Sequence, residues 1–364
     1  MRPPPLPLAP RPCPGEAVSS WVRRVASRYD ILGDHLVRYV LGRRAYTVHR
    51  AERLDHCADA ALEDVLALAT RVDCATIRRL RIVRHDGSAS CWHRTTPTWC
   101  PACIRGDLPA RGEVHERAIW RLGCCVLCPK HGVPLEDTCR RCAAQAPCRF
   151  QCAKGQLELA CIVCGRRVEA VLRPAGGEDG GGCGIRWPPS VKCVVEELQT
   201  DLQAALAGLP PGRSWGGIRS AKGLTIAVRD LTLCIVLAER LKVEPRIELP
   251  EPKPGQAYAP IHHPITPAAL LSGTAFGVLA SVAAVLRTLA RGGEGRQRWR
   301  PDDGTGLMSA ASFVAWLATE ERRLLARLAV GWEHPAGHVL RATIAQLENA
   351  AGGSGSRGTL RPAA

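Results

Sequence analysis

Aromatic residues are scarce in this sequence. They form 4% of its 364 residues, with three Phe and four Tyr against nine Trp. Ala, Leu and Val must therefore fill the core, which favours helices over sandwiches. Lysine is also scarce: six Lys stand against 43 Arg. No Lys is followed by Ser or Thr, which excludes a Walker A loop and a P-loop ATPase. There is no H-E-x-x-H and no G-x-S-x-G. The acidic residues stand singly or on charged faces and suggest no catalytic carboxylate cluster. His262 and His263 sit in a Pro-rich stretch, where solvation is the simpler reading. The N-terminus, residues 1–14, is Pro-rich, has no apolar h-region and reads as an extended, disordered arm. No long hydrophobic run is compelling. Ala268 to Leu286 is uncharged, but its Gly, Ser and Thr suit a buried helix better than a membrane span.

What the chain does have is positive charge and cysteine. The net charge is +15, with +5 in each of residues 1–90, 91–170 and 171–364. A basic, Arg-rich chain favours a polyanionic partner such as DNA. An even spread is also what a GC-rich genome writes into a protein. Eighteen Cys without a signal peptide point to metal rather than disulfides.

Helical signals dominate the first ninety residues. Val18, Trp21, Val22 and Val25 follow i, i+3, i+4, i+7. Leu36, Val37, Val40 and Leu41 give a second helix, and Leu62, Val65, Leu66 and Ala69 a third. Most of the Cys then fall within 91–170. Gly/Pro-rich linkers occupy 174–189 and 250–267, and a basic loop occupies 291–300. Between and beyond them helical faces return, as at Val194, Val195, Leu198 and Leu202, at Leu231, Ile235 and Leu241, and at Phe313, Trp316, Leu324 and Leu328. The expected class is mainly α: a helix-turn-helix-like N-terminal helical region (15–95), a central double zinc-finger, zinc-ribbon-like module (96–173), a linker (174–189) and a helical C-terminal domain (190–348), between a disordered arm (1–14) and a disordered tail (349–364).

Four two-ligand turns carry the most specific signal. They are Cys100-Pro-Ala-Cys103, Cys128-Pro-Lys-His131, Cys139-Arg-Arg-Cys142 and Cys161-Ile-Val-Cys164. Zinc takes four such ligands at tetrahedral corners, two from each turn. Sequential pairing gives two Zn²⁺ per chain, one on Cys100, Cys103, Cys128 and His131, the other on Cys139, Cys142, Cys161 and Cys164. Four protein ligands with no carboxylate describe a closed structural site. Cys148 or Cys152 could replace a ligand of the second site. Cys124 and Cys125 could compete at the first, and interleaved pairing also fits the spacing.

Residues 63–82 fit a helix-turn-helix, with Leu66, Ala67, Val72, Ile77 and Leu80 at the required positions and Asp73 placed to cap the second helix. That helix would offer Arg78, Arg79, Arg81 and Arg84 to DNA. Arg71 stands where the turn usually has Gly. An ordinary αα-hairpin with solvated arginines satisfies the same pattern.

These residues resemble a known family. Pro14-Gly15-Glu16-Ala17-Val18-Ser19-Ser20-Trp21-Val22-Arg23-Arg24-Val25-Ala26 is similar to the opening of TniQ proteins. Trp99-Cys100-Pro101 with Cys103, then Trp120-Arg121-Leu122, Cys128-Pro129, His131-Gly132, Leu135, Cys139 and Cys142, is similar to that family's zinc core. The likeness covers roughly residues 12–165. It departs at Ala143, where Gly is frequent, and at Cys124-Cys125, where an apolar pair is usual. The resemblance implies a non-catalytic selector of transposition targets, of the TniQ and TnsD type. Such a selector recognises DNA or a DNA-bound targeting complex. It recruits an AAA+ ATPase regulator (TniB/TnsC-like), which activates a transposase. A CRISPR surveillance complex and a second copy of the chain are further partners it implies, in a bacterial cytoplasm, on the nucleoid when bound to DNA, with no membrane. A zinc-finger and helix-turn-helix transcription regulator is the alternative from the same residues.

Overall fold

The structure is a computed structural model. It describes residues 5–41, 54–55, 60–81, 92–94, 96–142, 148–168, 188–242, 270, 272–291, 313–315, 317, 319–332 and 336–353. The linker expected at 174–187, the Pro-rich stretch at 250–267, most of the basic loop and residues 354–364 lie outside these, as do Trp316 and Arg84. The described chain is mainly helical with one two-stranded sheet. It divides into two compact units, Met1–Arg186 with Pro267–Phe276, and Trp187–Thr266 with Gly277–Ala364. Among the described residues no helix is long and apolar enough to cross a membrane.

In the first unit, α1 (Val18–Ser27) is the central element. The expected face, Val18, Trp21, Val22 and Val25, is buried, and so are Ser19, Ser20 and Arg24 on its other sides. Ala17 has no capping side chain of its own. The carboxylate of Asp55 serves instead, accepting from the Ser19 backbone N–H at 2.8 Å and from its hydroxyl at 2.7 Å. α2 (Gly33–Leu41) packs Leu36, Val37 and Val40 into the same core. α3 (Ala60–Thr70) and α4 (Cys74–Arg79) follow as a helical hairpin, adding Leu66, Ala69, Val72, Ile77 and Leu80.

The N-terminal arm is fixed from residue 5 onward rather than disordered. Leu6 N–H donates to Ala69 O at 2.7 Å, Tyr29 Oη exchanges hydrogen bonds with both backbone groups of Leu8, and the Trp21 indole N–H donates to Pro10 O at 2.8 Å. Proline has already removed much of the segment's conformational freedom, so a few bonds suffice to hold it.

No apolar periodicity marks α5 (Pro101–Arg111), which starts at the first quartet's first turn. Cys100 is its N-cap, Pro101 takes the first helical position, and Gly112 ends it with φ 73°. Later come β1 (Cys148–Ala153) and β2 (Gln156–Cys161), an antiparallel hairpin with Cys148 opposite Cys161. Its two-residue turn places both Lys154 (φ 50°) and Gly155 (φ 74°) in the left-handed region, as a twisted hairpin requires.

The second unit packs α6 (Pro189–Leu206) on α7 (Ala221–Lys242) and includes α8 (Ser272–Arg291) from Gly277 onward, where Val282, Val285, Leu286 and Leu289 are buried. α9 (Thr319–Leu328) and α10 (Ala336–Gly353) complete it. Val194, Val195, Leu198 and Leu202 are buried as their spacing predicts, while on α9 the buried leucine is Leu325, one position from the expected Leu324. Two indoles are tied to buried carboxylates: Trp215 Nε1 to Asp201 at 2.7 Å, and Trp332 Nε1 to Asp230 at 3.1 Å.

Candidate metal centres

Both sequential quartets converge. Cys100, Cys103, Cys128 and His131 bring one ligand atom each within 4.8 Å of the others, and Cys139, Cys142, Cys161 and Cys164 do the same. The Sγ–Sγ separations are 3.7 Å for Cys103–Cys128, 3.6 Å for Cys142–Cys161 and 3.8 Å for Cys139–Cys164. A tetrahedron with metal–sulfur bonds of about 2.3 Å has edges of about 3.8 Å. His131 presents Nδ1 at 3.4, 3.3 and 3.6 Å from Cys100, Cys103 and Cys128. An edge between sulfur at about 2.3 Å and nitrogen at about 2.0 Å from a shared ion is roughly 3.5 Å. Two quartets that could hold metal ions therefore have the spacing expected for zinc.

Local backbone builds each centre. At the first, α5 supplies Cys100 and Cys103. The tight turn after Cys128 supplies His131, with His131 and Gly132 N–H both donating to Cys128 O and Gly132 at φ 59°. At the second, the 161–164 turn repeats this geometry, with Gly165 N–H donating to Cys161 O at 2.9 Å and φ 66° at Gly165. Glycine at the residue after each turn allows the left-handed backbone. Burial pushes the Cys161 thiol up, but backbone N–H groups of Cys164 and Val163 pull it down to about 6. Cys128 is drawn well below an ordinary thiol by hydrogen bonds from Cys100 and Cys103. A thiolate is the form that binds metal.

The competing cysteines lie outside both quartets, although Cys125 neighbours the first and Cys148 the second. Cys124 and Cys125 are fully buried, and burial pushes the Cys124 thiol up to about 12. Cys152 donates to Arg23 O at 3.2 Å. Cys148 lies opposite Cys161 on the hairpin, with its thiol raised by burial.

The opening motif forms a buried ionic network. Glu16 accepts from Cys13 N–H at 2.8 Å, from the Ser20 hydroxyl at 2.9 Å and from Arg24 at 2.7 Å. Arg24 also reaches Glu113 at 2.9 Å, and Arg28 joins Glu113 to Gly155 O, both at 2.7 Å. Thus α1, the segment after α5 and the hairpin turn are locked together. Breaking such a buried pair by removing one partner typically costs about 3–5 kcal/mol. Sequence reasoning did not assign these roles, because the glutamates become partners only in three dimensions.

The helical hairpin at α3 and α4 has the expected cap: Asp73 accepts from the Thr76 hydroxyl at 2.5 Å and from Thr76 N–H at 2.8 Å, which hold its carboxyl below the usual range. Arg71 adopts φ 57° in place of glycine, at a cost of about 1–2 kcal/mol. The arginines of the proposed DNA-reading helix are partly engaged. Arg78 pairs with the buried Glu63 at 2.7 Å, and Arg81 pairs with the same carboxylate. Arg79 is exposed and donates to the Thr76 hydroxyl at 3.0 Å. Arg84 lies outside the described residues. α4 itself spans six residues.

No curated protein matches the chain. The TniQ family model matches residues 7–135. That span takes in the arm, α1 with its ionic network, and the first quartet, and ends before Cys139. Over residues 7–135, about a third of its length, the chain is thus similar to TniQ proteins.

Proposed function

We propose that this protein is a non-catalytic target-selection adaptor for DNA transposition. It recognises target DNA or a DNA-bound targeting complex and recruits an AAA+ ATPase regulator, which brings in the transposase. The observation that carries this reading is the TniQ match over residues 7–135, a family of transposition-associated accessory proteins. The chemistry agrees with it. Both quartets use four protein ligands, the arrangement of structural rather than catalytic zinc. Zn²⁺ at each would cross-link the chain segments that supply its four ligands. Cys100, Cys103, Cys128 and His131 would hold one ion, and Cys139, Cys142, Cys161 and Cys164 the other. The N-terminal helices would then be a firm surface for the ATPase, with residues 190–348 as a separate helical domain. The setting is the bacterial cytoplasm.

The test is capture of the AAA+ ATPase encoded beside the gene, co-expressed with the full chain, with and without DNA. Capture of the ATPase supports the adaptor. DNA binding with no capture contradicts it and favours a transcription regulator.

A further inference from the structure

Over residues 1–90, 91–170 and 171–364 the positive charge looks even, but within the middle stretch it is not. Within 91–170 the whole excess lies between Cys139 and Val168, where six basic residues stand against Glu158 alone, a net +5. This stretch holds the second quartet and the hairpin between its two turns. Each ligand turn carries an arginine pair, Arg140-Arg141 in one and Arg166-Arg167 just after the other. In each pair one arginine is anchored: Arg140 on Glu136, and Arg167 on Glu158. The other, Arg141 or Arg166, is exposed and enters none of the ion pairs found among the described residues. Arg149 on the outer side of β1 and Lys154 at the hairpin turn are exposed in the same way. Elsewhere in the first unit many arginines are spent internally, including Arg24, Arg28, Arg117 and Arg121, and Arg78 and Arg81 of the helical hairpin.

We propose that the second quartet presents a phosphate-binding face for double-stranded DNA, centred on Arg141 and Arg166 and widened by Arg149 and Lys154. The face is rigid because the ligand turns that carry the central arginines abut at the metal centre, with Cys142 and Cys161 sulfurs 3.6 Å apart. A guanidinium on a fixed turn loses little entropy on meeting a phosphate. The partner is a duplex rather than an unpaired strand. Readers of single strands stack bases on exposed aromatics. The single aromatic between Cys139 and Val168 is Phe150, which is buried. Contacts of this kind position the protein without reading sequence. The proposal rests on the adaptor reading for its biological setting, but it is tested separately from it.

The experiment titrates fluorescent random-sequence duplex DNA with the zinc-loaded full chain at several salt concentrations. Each phosphate contact contributes about 0.9 to the slope of log K against log salt. The combined variant Arg141→Ala with Arg166→Ala should flatten that slope by about 2 and weaken binding at least roughly tenfold near 0.1 M salt. Arg141→Lys with Arg166→Lys should keep the slope, because it keeps the charges. An unchanged slope in the first variant, at wild-type zinc content and melting, overturns the proposal. So does wild-type protein that binds no duplex, or that binds single-stranded RNA of equal length more tightly. ATPase capture from the same preparation reports on the adaptor reading alone, so the two can fail independently.

Discussion

Burial does not separate the quartet cysteines from the others in this chain, because Cys100 and Cys103 are buried with raised thiols, as Cys124 is. Cys161 has backbone donors that favour its thiolate, whereas Cys124 is held as a thiol by burial. Spacing favoured the four two-ligand turns and left Cys124, Cys125, Cys148 and Cys152 as alternatives; convergence of ligand atoms in the fold distinguishes the quartets. Glu136 is a third case. Its side chain is nearly buried, and burial raises its carboxyl to about 7 from an ordinary 4.5, against the pull of Arg140. A raised carboxyl favours the folded state at low pH, and that contribution is lost as pH rises from about 4.5 through about 7. Glu136→Gln mimics the neutral form and cannot ionise. Its melting temperature relative to wild type should therefore rise between pH 5 and pH 8, by an amount equivalent to at most about 3 kcal/mol. A difference between the two proteins that stays constant over that range would contradict the assignment.

At the scale of elements, periodicity was a reliable guide where a helix has one apolar face, as on α1, α2 and α6. It was silent on α5 and on the hairpin. α5 is set by a proline at its first position and a ligand cysteine at its cap, not by an apolar stripe. The hairpin turns on Lys154-Gly155, which lacks the Asn-Gly or Asp-Gly signature. The arm was misjudged for a related reason: its partners, Ala69, Tyr29 and Trp21, are distant in sequence and meet it only in the fold. The second unit shows how packing overrules propensity. Gly337 lies in the first turn of α10, where Ala would ordinarily favour the helix by about 1 kcal/mol. A Cβ there would fall 2.3 Å from Ala329 O and 3.0 Å from Trp332 Cβ. The obstacle is a backbone carbonyl, which cannot swing aside as a flexible side chain would. Gly337→Ala should therefore destabilise by about 1–3 kcal/mol, read as a lower melting temperature with unchanged metal content. A raised melting temperature would show that the helix start can relax.

For the whole molecule, the mainly helical class and both ligand quartets were legible from residue types and spacing alone. The TniQ resemblance was legible from the Pro14–Ala26 motif and the turns at Cys100 and Cys128, and the family match covers the same region. The net +5 of residues 139–168 is in the sequence, but which arginines stay exposed was not legible, because that depends on which the fold uses internally. Glu63 takes two from the helical hairpin, and Glu136 and Glu158 take one each beside the second quartet. The first unit thus holds two Cys/His quartets that could each bind a metal ion, one within the family match and one beyond it. That claim is tested most directly by the metal content of the purified full chain, measured by native mass spectrometry with parallel elemental analysis, before and after Cys100→Ser and Cys161→Ser. The account predicts two zinc ions in the wild type, one fewer in each single variant and loss of cooperative melting on chelation. A folded wild-type chain that carries no zinc would contradict it.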